Sequence, residues 1–373
     1  MTTHAPTAAP TVIAERRGHV GVLTLHRASA LNALSLDMIR ALTAALLDWQ
    51  GDEAVSAVVL RGANRPGKAP AFCAGGDIRF FHQAALAGDP RLEDFFTEEY
   101  ALNHLIHHYR KPLIALMDGV TMGGGMGISQ GAALRVVTEH SLLAMPETNI
   151  GLFPDVGGGW FLARCAGHLG EFLGLSGQVL HAADALAVGW ADLEVPAARL
   201  DEMLDAIVAT TGEDGSEALA TARDFGLLYD DPLARAPLAA EFELIHRVFS
   251  RDSLVDILSA LADEPGEFAR TQLAVLQKRS PLMMAVTLEL IRRARHLSLA
   301  EDLRMERDLV RHAFHLRPGT ASETVEGIRA LVVDKDHQPR WNPSHVEDVD
   351  QAMVAAFFQS PWPATAHPLR ALD

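Results

Sequence analysis

The feature that most limits the fold of this chain is a change of period near residue 200. Before it, short apolar runs alternate with helical stretches. Residues 19–25 (HVGVLTL), 56–61 (SAVVLR) and 113–117 (LIALM) read as strands. Residues 35–50 (SLDMIRALTAALLDWQ) read as an amphipathic helix, with Ser35 as its cap and Met38, Leu42, Leu46 and Trp49 at helical spacing. Further helices are expected near 93–109 and from about 123. Past residue 200 only helices are expected, over 215–228, 236–249, 252–262, 267–279, 281–297 and 299–315, with breaks at Pro265-Gly266 and Pro318-Gly319. The alternation predicts an α/β catalytic core over 13–200, a helical region over 201–373 and a flexible tail at 1–12.

Bulk properties narrow the function. A formal charge of −16 argues against a nucleic-acid partner, because phosphate contacts need a surplus of Lys and Arg. The cysteines, Cys73 and Cys165, supply neither a disulfide framework nor a four-cysteine zinc site and suit a reducing compartment. Residues 1–12 lack the charged and apolar regions of a signal peptide. No stretch reaches the roughly 18 apolar residues of a membrane span. The cytoplasm is the expected location, with no membrane partner.

The chemistry concentrates between residues 72 and 160. In FCAGGDIRFF (72–81), two glycines precede an Asp able to cap a helix, so the turn presents backbone N–H groups where an oxyanion could sit. In DGVTMGGGMGISQG (118–131), a strand runs through glycines into a helix whose N-terminus favours negative charge. A tight turn with close helix packing is the competing reading of each. No G-x-G-x-x-G runs through the second segment, which sets aside a dinucleotide cofactor. His104, His107 and His108 share a helix but read as an ordinary partly exposed face, and no metal is expected.

MPETNIGLFPDVGGGWF (145–161) places Glu147 and Asp155 among apolar residues and glycines. A carboxylate in such surroundings has a raised pKa, which suits proton transfer near neutrality. In RLEDFFTEEYALNHLIHHY, Phe95, Leu102, Ile106 and Tyr109 mark the inward face; Glu99 falls on it and Glu98 near its other edge. An inward glutamate needs a partner or a role.

The segments LTLHRASALNAL, FCAGGDI, KPLIALMDGVTMGGGMG, MPETNIGLFPDVGGG and LSGQVLHAADALAVGWADLEV, in this order, resemble the crotonase (enoyl-CoA hydratase/isomerase) superfamily. FFTEEYALN, MPETNIGLFPDVGGGWF and VEGIRALVVDKDHQPRWNP (325–343) are most similar to its 3-hydroxyisobutyryl-CoA hydrolase branch. The resemblance implies a crotonase-like core of repeated ββα units with a helical C-terminal region. It implies an oxyanion hole at Gly76 and Gly124, substrate binding by Glu99, Gly124, Glu147 and Asp155, and catalysis by Glu147 and Asp155. The implied reaction is hydrolysis of a short 3-hydroxyacyl-CoA, as in valine breakdown, with CoA entering as part of the substrate and no separate cofactor. A hydratase or isomerase acting on another acyl-CoA is the alternative. A homo-oligomer is compatible with this reading.

Two departures matter. Hydratases of the superfamily carry a second glutamate at the position of Gly127, so hydration by two carboxylates is expected to be impaired. Arg27-Ala28-Ser29 stands where relatives have proline and lysine, leaving Arg27, Lys68 and the Ala33-Leu34 backbone as candidate CoA contacts.

Overall fold

The segment VGVLTL buries all of its residues, which requires cover on both faces, and it becomes a strand inside a largely parallel sheet. In the computed structural model, which describes residues 10–64, 67–226 and 232–373, two sheets form. The larger has six strands in the order β1 (Val12–Arg17), β2 (Val20–Leu25), β3 (Ala57–Gly62), β5 (Leu113–Met117), β7 (Leu134–Val137) and β9 (Leu193–Glu194). The smaller is β4 (Ala71–Cys73), β6 (Val120–Met122) and β8 (Leu142–Ala144). Among these described strands only the β1–β2 pair is antiparallel.

Successive strand pairs give one strand to each sheet: β3 with β4, β5 with β6, β7 with β8. This is the repeated ββα pattern, with helices α1 (Leu36–Gly51), α2 (Ile78–Ala87), α3 (Arg91–His107) and α4 (Gly124–Gln130) between strands. Ser35 caps α1 by accepting the Met38 N–H at 3.3 Å, and Asp77 caps α2 by accepting that of Phe80 at 3.2 Å. Such caps contribute about 1 kcal/mol each. Met38, Leu42, Leu46 and Trp49 are all buried, as their spacing predicts.

The strands end at Glu194, close to where the sequence pattern changes. The first helices beyond, Leu200–Thr210 and Ser216–Asp224, cover one face of the large sheet: Met203, Leu204, Ile207, Ala218 and Ala222 share a core with Val20, Val22, Val59 and Ile114. The expected helix 236–249 divides into a 3-10 turn Pro237–Glu241 and a helix Phe242–Phe249. The expected helix 215–228 ends at Asp224, and residues 227–228 lie outside those described. Val12 opens β1 and pairs with Leu25, so the tail expected at 1–12 is ordered at its last residue; positions 1–9 lie outside the described residues. Among the described residues no helix is long and apolar enough to cross a membrane.

Candidate active site

The small sheet positions the site. Its strands are parallel, so the loops leaving their C-terminal ends emerge side by side. The β4 loop carries Gly75 and Gly76, the β6 loop Gly123 and Gly124, and the β8 loop Glu147. Together with Asp155 and with Glu99 from α3, they line one cavity of about 210 Å³. Ile78, Phe81, Phe96, Ile150, Leu152 and Leu331 supply its apolar wall.

A side chain at either glycine would have to displace a neighbour. A Cβ on Gly76 would sit 2.5 Å from the Phe81 ring, and one on Gly124 2.5 Å from Glu99 Oε1. The turns touch: a Cβ on Gly75 would lie 3.8 Å from the Gly124 nitrogen. Gly124 opens α4, where the first N–H groups have no acceptor within the helix. The Gly76 N–H likewise has no acceptor among the described residues; its neighbours are tied down instead, Leu34 donating to the Gly75 carbonyl at 2.8 Å and Asp77 to that of Leu34 at 3.0 Å.

The acids are buried: Glu99 is 2% exposed, Glu147 6% and Asp155 5%. None forms an ion pair among the described residues. Glu99 Oε1 and Glu147 Oε2 have no hydrogen-bond partner there. Asp155 accepts the Tyr100 hydroxyl at 2.7 Å. Burial pushes Glu99 well above the usual carboxylate range, and the charges of Asp155 and Glu147 add to it. Burial and the charge of Asp155 raise Glu147 in the same way. Asp155 is pushed up to about 6 by burial, with the Tyr100 hydrogen bond working in the opposite direction. These are carboxylates set to move protons near neutrality. Cys73, beside the first glycine turn, is not: burial pushes its thiol up to about 12.

Glu99 and Glu98 separate cleanly. Glu98 is on the surface side of α3, bound to Arg40 through both carboxylate oxygens at 2.6 and 2.8 Å, while Glu99 faces the cavity. An acid with a raised folded-state pKa has its full stability below the unfolded pKa and loses it as pH rises through the folded value. Glu99→Gln is therefore expected to stabilise the fold by about 1–2 kcal/mol near neutral pH, the gain shrinking toward about pH 4, where unfolded carboxylates protonate. Thermal melts across pH check this. In kinetics the same variant should raise KM more than it lowers kcat, since no donor turn adjoins Glu99 in sequence.

The candidate CoA contacts fare differently. Arg27 donates to Asp77 at 2.6 Å and to the Ala33 carbonyl at 3.0 Å, bracing the first glycine turn. The Leu34 N–H and carbonyl are spent on that same turn. Lys68 is exposed. The histidines of α3 make local contacts: His104 meets the Asp373 carbonyl at 3.0 Å, His108 the His104 carbonyl at 3.0 Å, and His107 stacks edge-on against Trp160.

Sequence reading misses Tyr100, whose pairing with Asp155 spans 55 residues and leaves no local signal. It also misses Leu331, which reaches the cavity from a π-helical turn, Arg329–Val333, within the segment VEGIRALVVDKDHQPRWNP.

A model of the enoyl-CoA hydratase/isomerase family matches residues 20–358. The chain belongs to this family. The mitochondrial 3-hydroxyisobutyryl-CoA hydrolase of Rattus norvegicus is 38% identical over 375 residues, 96% of this chain and 91% of that protein. The hydrolase of the same name from Danio rerio is 39% identical over 357 residues, 94% of this chain and 89% of that one. A carnitinyl-CoA dehydratase from Mycobacterium thermoresistibile shares the fold with a TM-score of 0.86 at 34% identity, over 98% of this chain and 100% of that one. An enoyl-CoA hydratase from Rhodobacter sphaeroides gives 0.81 at 34% identity, over 94% and 98%.

Within the enoyl-CoA hydratase/isomerase family, the decisive local feature is Gly127. The space a side chain would need there is occupied: a Cβ on Gly127 would lie 2.6 Å from Val156 Cβ and 2.9 Å from Asn103 Nδ2. Val156 Cβ is fixed to the backbone and cannot swing aside. The second glutamate that the resemblance places at this position in hydratases is thus both absent and without room.

Proposed function

We propose that this chain hydrolyses a short 3-hydroxyacyl-CoA, 3-hydroxyisobutyryl-CoA in particular, to 3-hydroxyisobutyrate and free CoA, a reaction of valine breakdown. The observation that carries the reading is the cavity that brings Glu147, Asp155 and Glu99 together with the Gly76 and Gly124 turns, in a chain with glycine and not glutamate at position 127. The names of the mammalian and fish relatives support it.

In this reading the thioester oxygen lies between the Gly76 and Gly124 N–H groups, which stabilise the charge that develops as the carbonyl carbon becomes tetrahedral. Glu147 takes a proton from water as its oxygen bonds to that carbon; alternatively its own oxygen attacks and water then opens the resulting anhydride. In both routes the C–S bond breaks, the sulfur leaves as thiolate and takes up a proton, and the carboxylic acid is released. Asp155, held by Tyr100, binds the 3-hydroxyl or orients the water. Glu99 binds substrate. The proposal includes a cytoplasmic setting, supported by the buried free thiols Cys73 and Cys165, although the vertebrate relatives carry the name mitochondrial.

A panel assay tests the proposal. Free thiol should appear from 3-hydroxyisobutyryl-CoA, with little hydration of crotonyl-CoA. Strong hydration without thiol release would reverse the assignment in favour of the hydratase reading that the names of the solved structures suggest. Gly127→Glu is expected not to create hydratase activity, because its side chain meets Val156.

A further inference from the structure

Helix Leu299–His315 buries two acids, Asp302 and Glu306, completely. Neither forms an ion pair among the described residues. Their partners are backbone amides: Glu306 accepts the N–H of Gly157 at 2.7 Å and of Gly159 at 2.9 Å, and Asp302 accepts that of Trp160 at 2.8 Å. Those amides belong to the turn that leaves Asp155. The turn is strained, with Val156 at φ 59 and Gly157 at φ 83. A β-branched residue in the left-handed region is a true outlier, costing on the order of 1–3 kcal/mol, and persists only where its surroundings over-determine it. Among the described residues the turn is closed by the Gly158 N–H on the Asp155 carbonyl at 2.8 Å, and the Phe161 N–H on the Gly157 carbonyl at 3.1 Å ties it to the short helix that follows. The amides of Gly157, Gly159 and Trp160 are held from outside, by the helix Leu299–His315.

We propose that Glu306, backed by Asp302, is a positioning residue for Asp155: it clamps the left-handed turn at Val156–Gly159 and so fixes the direction in which the Asp155 carboxyl enters the cavity. This rests on the reading of Asp155 as a working acid of the site. Glu306 does not line the cavity, so it acts through the backbone. Charge-assisted bonds from amides to a carboxylate are about twice as strong as neutral ones, and two on one side chain also fix orientation. Asp302 Oδ1 has no hydrogen-bond partner among the described residues, so its other oxygen, on the Trp160 N–H, supplies its hold on the turn. Burial pushes Asp302 up to about 7, and burial together with the charge of Asp302 raises Glu306 as well.

The test is a double-mutant cycle. Glu306→Gln keeps the side-chain volume but turns an NH₂ group toward one of the two amides. In the otherwise intact enzyme it should lower kcat on 3-hydroxyisobutyryl-CoA by about 10²-fold, the usual cost of an acid misplaced by about 1 Å, with KM little changed. It should also erode the preference for 3-hydroxyacyl over unsubstituted acyl groups, a readout that general loosening of the fold would not move. In an Asp155→Asn background the same change should cost almost nothing further. An equal loss in both backgrounds, or a single variant with normal kcat and preference, would overturn the clamp while the loss in Asp155→Asn alone upheld the reading of Asp155. A fully active Asp155→Asn would instead overturn that reading and the clamp with it. Circular dichroism and a thermal melt establish folding. Should Glu306→Gln not fold, Asp302→Ala removes one grip, leaves two, and enters the same cycle, where the same outcomes support or overturn the clamp.

Discussion

Replacing Glu147 with Gln should lower kcat by ~10²–10⁴, the range general-base catalysis contributes, while the substrate still binds. The side chain leaves the 3-10 turn Glu147–Ile150 just after β8, so its backbone is fixed by the sheet and by the Leu152 N–H bonding to the Glu147 carbonyl at 3.0 Å. Gln keeps that placement and the size of the group. It loses the basicity needed to take a proton from water and the nucleophilicity needed to attack the thioester, so both routes fail. Burial with no cation nearby also means that removing the charge relieves the fold, and the variant should melt higher than the parent near neutral pH. Lower activity with higher stability marks an acid held in a costly place for its chemistry. Near-normal turnover in a folded variant would remove Glu147 from the mechanism.

The second large effect concerns the donor at Gly124. Gly124→Pro deletes one of the two N–H groups, and losing one oxyanion donor costs ~10²–10³ in kcat. Position 124 is the first residue of α4, where proline is accepted because its N–H has no helical acceptor. Two side effects accompany it: a Cβ there meets Glu99 Oε1, and Gly123, at φ 49 and ψ −118, precedes the ring. Gly124→Ala carries the same Cβ and keeps the N–H. The ratio of kcat between the alanine and proline variants therefore removes the effect of the Cβ and leaves the lost donor together with the ring's own bulk and its demand on Gly123. A structure with bound acyl-CoA gives the independent check: the thioester oxygen should lie about 3 Å from both the Gly76 and Gly124 nitrogens. A carbonyl pointing elsewhere would sink the assignment.

Much of this arrangement is legible in the sequence because its signals are local. Ser35 and Asp77 each lie within three residues of the amide they cap. Helical period favours Glu99 over Glu98 only narrowly, and α3 decides between them by turning Glu99 inward. Asp302 and Glu306 share a stripe with Leu299, Leu309 and Ala313, so the same period places them inward too; in a region read only as helical they carry no motif that singles them out. Other features have no local trace. The loop after β4 meets the loop after β6 only because both strands pair in a second sheet, and nothing in either segment announces that pairing. Arg27 reads as available for CoA because its partner Asp77 is 50 residues away. Gly127 reads as a missing acid, whereas the contact with Val156 makes it a filled site.

That filled site bears on how one activity could be converted into another by descent. A lineage passing from this arrangement to one with a second glutamate at position 127 cannot take its steps in an arbitrary order. The new acid alone collides with Val156. Trimming Val156 first opens a void beside Asn103, whose amide already lacks partners among the described residues, but relieves the strain of a β-branched residue at φ 59. The two positions are therefore expected to show epistasis, the acid at 127 being tolerated only where residue 156 is already small. A branch that has entered this state is insulated from its hydratase cousins by packing as much as by chemistry.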